Sequence, residues 1–222
     1  MISPRWPERR GGIRLGLVAF VFLLGLVAGQ FTYRYLTRSN RLNDEAVELM
    51  NQGKYEAALA RLEQALEIDP HHFLANYHRA LCLVERRRWD EALDSFDLAI
   101  RLQPENARPH FNRGKLLWTL GRFEEGLSSL TRAADLDHED PETWLLIGEC
   151  RYELFLRQVA ERPAEPRSPA EAVAAFKNYL RLREKAKDRT TVERKLEILQ
   201  HVERFPEVLQ KRQERAPAEA GR

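Results

Sequence analysis

The sequence predicts an all-α protein: a helix-turn-helix solenoid preceded by a single transmembrane helix. Three observations predict it. An unbroken apolar run lies near the N-terminus, residues 39–182 repeat themselves at a period of 34, and apolar residues inside each repeat follow the helical period. The composition agrees. Of 222 residues, 43% are hydrophobic and 32% charged, which suits one helical domain with a solvated surface and appended segments. The net charge of +2 hides an asymmetry, because residues 1–38 carry +5 and the remainder −3. A slightly acidic body is not the basic surface that holds phosphate backbones, so no nucleic-acid partner is expected.

Residues 1–14 form a basic N-terminal segment, and the transmembrane helix is expected over 15–35. From Leu15 to Phe31 only Gln30 is polar, and Arg14 and Arg34 bracket nineteen residues. At about 1.5 Å per residue that run spans roughly 28 Å, close to a bilayer hydrocarbon core. Trp6, Tyr33 and Tyr35 lie where interfacial aromatics sit. A cleaved signal peptide is the rival reading, with Val27-Ala28-Gly29 as its cleavage site; the length of the run and the arginines after it favour an uncleaved anchor. Arg5, Arg9, Arg10 and Arg14 outnumber Arg34, Arg38 and Arg41, which favours a cytoplasmic N-terminus. The rest of the chain would then lie on the periplasmic side of a bacterial inner membrane. Gly25 and Gly29, one helical turn apart, offer a face for close approach of a transmembrane helix partner.

The repeat is read by shifting the chain 34 residues. Tyr55, Trp89 and Phe123 align, as do Ala58, Ala92 and Gly126, then Leu62, Phe96 and Leu130, then Ala65, Ala99 and Ala133. Upstream, Ala46, Ala80, Gly114 and Gly148 share one register, and Pro70 and Pro104 fall near unit ends. Small residues recur where paired helices cross closely, large apolar ones fill the gaps, and proline stops the second helix. Gly53 and Gly121 sit at the turn between paired helices, where a left-handed residue costs glycine little. The units are 39–72, 73–106, 107–140 and 141–182, the last carrying an insertion near 157–169 whose tip, Glu161 to Pro169, is read as a loop from its three prolines. A capping helix is expected over 188–206, with Val192, Leu196, Leu199 and Val202 on one face, followed by a charged, partly disordered tail over 207–222. No proline or glycine falls between Phe31 and Gln52. The membrane helix therefore either runs into the first repeat helix or gives way to a new helix capped by Ser39 or Asn40.

The segments GKYEAALARLEQALEIDP, RRWDEALDSFDLAIRLQP and GRFEEGLSSLTRAADLD resemble the tetratricopeptide-repeat (TPR) family. The resemblance implies that the first helix of each unit lines a concave, protein-binding groove. Carried over by register, its lining includes Asn43 and Val47, then Tyr77 and Leu81, then Phe111, Lys115 and Trp118, then Leu145, Glu149 and Tyr152. An apolar and aromatic strip of that kind marks a partner site. Where one TPR subtype grips a chaperone carboxylate with Lys and Asn, this chain has Asn43, Val47 and His78, so a chaperone adaptor is disfavoured.

Chemistry-bearing patterns are missing. There is no glycine-rich phosphate loop, no HExxH and no G-x-S-x-G, and no cofactor is expected. His71 and His72 read as solvated turn residues rather than metal ligands. Cys82 and Cys150, 68 residues apart at one repeat position, read as free thiols. Arg86-Arg87-Arg88 ends a helix, where cations suit the dipole. The expected function is a non-catalytic, membrane-anchored scaffold that recruits a protein through the groove. The alternative is a permanent subunit of a membrane complex that uses both solenoid and membrane helix as interfaces.

Overall fold

The computed structural model describes residues 11–161, 168–184 and 186–204, with side chains outside that description at 11–19, 31, 32, 36 and 202–204. The described residues are helical and fall into two compact units, the first ending at Cys82 and the second beginning at Leu83.

The first unit is built on α1 (Gly11–Asn51), α2 (Tyr55–Ile68) and α3 (Phe73–Glu85), whose last residues pass the boundary. α1 is one helix of 41 residues. Ser39 caps nothing: it is fully buried, and its hydroxyl donates to the Ala65 carbonyl at 3.1 Å, tying α1 to the end of α2. Leu42 and Ala46 face Ala58, Leu59, Leu62 and Ala65 in the closely packed α1–α2 pair, all buried. The N-terminal half of α1 behaves differently. Phe20, Val21, Phe22, Leu23, Leu24, Leu26 and Val27 are each 54–73% exposed. A side chain added at Gly25 or Gly29 would meet nothing within 4 Å. Among the described residues no helix is long and apolar enough to cross a membrane. Of the span expected over 15–35, side chains are continuously described only from Phe20 to Gln30, about half of the roughly 20 residues a crossing needs.

The second unit runs α4 (Trp89–Leu102), α5 (Ala107–Thr119), α6 (Phe123–Leu136), α7 (Pro141–Glu161), α8 (Ala170–Leu182) and α9 (Arg189–Arg204). Successive helices pack antiparallel, and glycine sets how closely. A Cβ on Gly114 would lie 2.6 Å from Leu130 Cγ, and one on Gly126 would lie 3.2 Å from the Gly114 carbonyl oxygen, so α5 and α6 cross nearly backbone to backbone. α7 is 21 residues long where α5 has 13. The extra length is helical because Phe155 and Val159 continue the buried face of α7 onto Ala172, Val173 and Phe176. α7 ends at Glu161, where the expected loop Glu161–Pro169 begins, and 162–167 lie outside the described residues. α7 is capped by Asp140, whose carboxylate accepts from the Glu142 and Thr143 backbone N–H groups at 3.2 and 3.1 Å. α9 packs on α8, burying Val192, Leu196 and Leu199.

Three inter-helix turns close in the same way. Gly53 (φ 73°) donates to the Met50 carbonyl and Lys54 to Leu49; Gly121 (φ 72°) donates to Trp118 and Arg122 to Leu117. The third turn, from Arg87 to Val84 and Arg88 to Leu83, places Arg87 at φ 59° in that left-handed position. For a residue with a side chain this conformation costs roughly 1–2 kcal/mol. Arg87→Gly is therefore expected to stabilise the protein by about 1 kcal/mol after glycine's own entropy is counted, read as a raised urea midpoint. A lowered midpoint would show that the Arg87 side chain contributes more than the strain removes.

Candidate partner-binding face

In the first unit the expected groove residues divide. Val47, Tyr77 and Leu81 are half-buried and reach solvent, with Leu74 beside them 45% exposed. Tyr77 stacks on Phe73 one turn earlier, ring centroids 6.2 Å apart and planes within 10°. Asn43 is not a groove residue. It is 3% exposed, and its amide oxygen sits 2.8 Å from His78 Nδ1, so it serves the α1–α3 junction. His72 does similar work. Its Nδ1 accepts from the Ala75 backbone N–H at 3.1 Å, capping α3, which leaves the proton on Nε2 for the Asn40 side-chain oxygen at 2.6 Å. It is a capping and cross-linking residue rather than a solvated turn histidine. The signal for it was the lack of Ser, Thr, Asp or Asn immediately before Phe73.

Burial lowers the His78 pKa below its ordinary value; His72 pushes the same way and Asp44 opposes. The sign follows directly. A histidine whose folded pKa is depressed gives up stability as pH falls, because the unfolded chain takes the proton more readily. The first unit is expected to be fully stable above the ordinary histidine range and to weaken progressively as pH falls through it. Thermal unfolding between pH 7.5 and 5 checks this: His78→Gln should flatten the pH profile, and an unchanged slope would remove His78 as its source.

In the second unit Phe111 and Trp118 on α5 are half-buried and pack against the cluster of Leu130, Ala134, Leu146, Ile147 and Cys150. Lys115 is exposed, its ammonium 5.8 Å from the Phe111 ring centroid. On α7, Leu145 and Tyr152 are half-buried against the cluster containing Phe176, Tyr179, Val192 and Leu196. Glu149 is already engaged. Lys195 of α9 pairs with its carboxylate and lies 5.0 Å above the Tyr152 ring. α9 thus holds two of the expected groove residues from the side, a pairing across 46 residues that no local pattern announces. Cys82 and Cys150 are thiols outside any disulfide and fully buried, and burial, then Glu149 and Glu124, push the Cys150 thiol up to about 12. Among the described residues no three His, Cys, Asp or Glu side chains gather as a metal site.

Helical pairs of this length, joined by left-handed turns and repeating every 34 residues, define a TPR protein. The chain belongs to the tetratricopeptide repeat family, whose profile matches residues 43–107 and 111–188. Among solved structures it is similar to MamA from Desulfovibrio magneticus RS-1, with 21% identity, TM-score 0.55 and coverage of 67% of this chain and 77% of that one. It is similar to pilF of Pseudomonas aeruginosa, with 23% identity, TM-score 0.58 and coverage of 77% and 72%. It is also similar to the first TPR of Spaghetti (RPAP3) bound to an HSP90 peptide, with 19% identity, TM-score 0.52 and coverage of 53% and 94%. At these identities the likeness establishes the fold. A search of curated proteins found no match.

Proposed function

We propose that this protein is a membrane-anchored TPR scaffold that recruits a protein partner through the inner faces of its repeats and catalyses no reaction. The observation that carries the proposal is the solvent-reaching apolar and aromatic lining of the first helices: Tyr77 and Leu81 in one unit, Phe111, Trp118, Leu145 and Tyr152 in the other. Aromatic side chains in such positions supply much of the energy of protein recognition. The RPAP3 neighbour is bound to an HSP90 peptide, which supports peptide recognition by the same fold. The anchor is the exposed apolar surface of α1 around Phe20–Val27, which water solvates poorly. Arginines more numerous before it than after support a cytoplasmic N-terminus, with the repeats on the periplasmic side of a bacterial inner membrane.

Photocrosslinking from position 118 or 77 in native membranes tests the groove. Capture of another protein is expected, and capture of lipid or of this chain alone sinks the recruiter reading. A second reading, a permanent subunit of a membrane complex, is favoured by the unbroken α1, which offers a rigid interface running from the apolar run into the first repeat. Detergent extraction separates the two. A subunit co-purifies with its neighbours in fixed ratio, whereas a recruiter comes away alone.

A further inference from the structure

Where α1 leaves its apolar half, three exposed arginines share one side of the helix. Arg34, Arg38 and Arg41 stand four and then three residues apart, which puts them within roughly 60° of one another. They lie roughly 120° around the helix from Ser39, Leu42, Asn43 and Ala46, the buried residues that pack on α2 and α3. The other polar side chains of this stretch are occupied. Thr37 donates to the Tyr33 and Arg34 carbonyls at 2.8 and 3.0 Å, and Asn40 holds His72. Arg41 pairs loosely with Glu45 at 3.4 Å, whereas Arg34 and Arg38 make no ion pair among the described residues. The acids of α1 begin higher up: Asp44, Glu45 and Glu48 lie about 15–21 Å from Arg34 along the axis. The acids level with the arginines, Glu67 and Asp69, lie at the end of α2, on the side the arginines turn away from. Asp69 already accepts from the His71 backbone N–H at 3.0 Å.

We propose that this arginine face binds the headgroups of acidic phospholipids. The inference rests on the anchor reading above and names the lipid chemistry that the anchor meets. With Phe20–Val27 in hydrocarbon, the exposed rings of Tyr33 and Tyr35 fall at headgroup level and Arg34 stands among the phosphates. Arg38 and Arg41 stand about 6 and 10 Å farther out, within a long side chain's reach or about one screening length of the surface. Arginine suits the task, because its planar fork takes two phosphate oxygens at once. A zwitterionic headgroup sets an ammonium beside each phosphate and repels the same fork. An acidic headgroup carries no such cation, so the face discriminates between the two. The charge order along α1 fits this surface: cations lie next to it, and Asp44, Glu45 and Glu48 are held beyond its field. A lipid surface is also the partner that the anchor itself brings to this height.

The test uses the full-length protein reconstituted into phosphatidylcholine vesicles that carry a trace of spin-labelled phosphatidylglycerol or of spin-labelled phosphatidylcholine. Electron spin resonance reads the fraction of each label immobilised at the protein, and circular dichroism confirms that every variant is folded. Wild type is expected to hold phosphatidylglycerol in preference, by about fivefold for each arginine engaged at the surface. Raising the salt to roughly 0.5 M should shrink that preference. R34Q/R38Q should lose most of it, whereas R86Q/R101Q, with the same change in charge on exposed positions of α4 and the turn before it, should keep it. Equal retention of the two lipids by wild type, a preference that survives R34Q/R38Q, or one lost equally in R86Q/R101Q overturns the proposal while the anchor stands. No immobilised lipid of either kind removes the anchor, and this inference with it.

Discussion

Phe176→Ala is expected to cost about 3–5 kcal/mol, the range for emptying an aromatic site in a packed core. Phe176 is fully exposed to none of the solvent, sits in the cluster joining α7, α8 and α9, and fills the notch left by Gly148. A Cβ at 148 would lie 2.6 Å from two carbons of that ring, so ring and glycine are one fitted pair. Gly148→Ala should therefore cost about 1–3 kcal/mol by overpacking. Combining Gly148→Ala with Phe176→Leu should cost less than the sum of the two single changes, because the smaller side chain accommodates the added methyl. Urea unfolding of the four proteins in the cycle checks this. Additive costs would show that α8 shifts as a body rather than the ring being confined.

Arg113→Met is expected to destabilise the second unit by about 1.5–3 kcal/mol, the scale for hydrogen bonds to a charged group. Its guanidinium bridges α4 and α6, donating to Asp97 at 2.6 Å through Nε and to the Ser129 hydroxyl at 2.6 Å. Asp97 is 40% exposed and partly screened by solvent, which places the expectation toward the lower end. Ser129 is buried and accepts nothing comparable once the arginine is gone. Arg113→Lys should recover less than half of the loss, because an ammonium cannot hold both partners in a planar fork. Equal stabilities for Met and wild type would show that the alkyl stem, retained in methionine, is what matters.

The 34-residue register made most of the fold legible. It located the paired helices, the small residues at their crossings and two of the three left-handed turns. The third was hidden because Arg87 carries a side chain where Gly53 and Gly121 do not. The helical spacing of Phe155 and Val159 carries α7 to Glu161, just before Pro163, Pro166 and Pro169. Which side chains reach solvent was legible on α3, α5 and α7, where period alone decides it. That reading failed at Asn43, because its burial depends on His78 from another helix, and at Glu149, because its cation arrives on α9. Polar side chains with long-range partners look the same in sequence as those that face solvent.

The unbroken α1 makes the spacing between its apolar half and the first repeat a matter of phase as well as distance. From Tyr33 to Ser39 there is no break to absorb a change in length. One residue inserted there would advance the repeats by about 1.5 Å and swing them by roughly 100° about the helix axis. Four would return them to within roughly 40° of the starting azimuth, one turn farther out. Function measured across such a ladder of insertions should rise and fall with the helical period if azimuth matters, whereas a loose tether would respond smoothly to length.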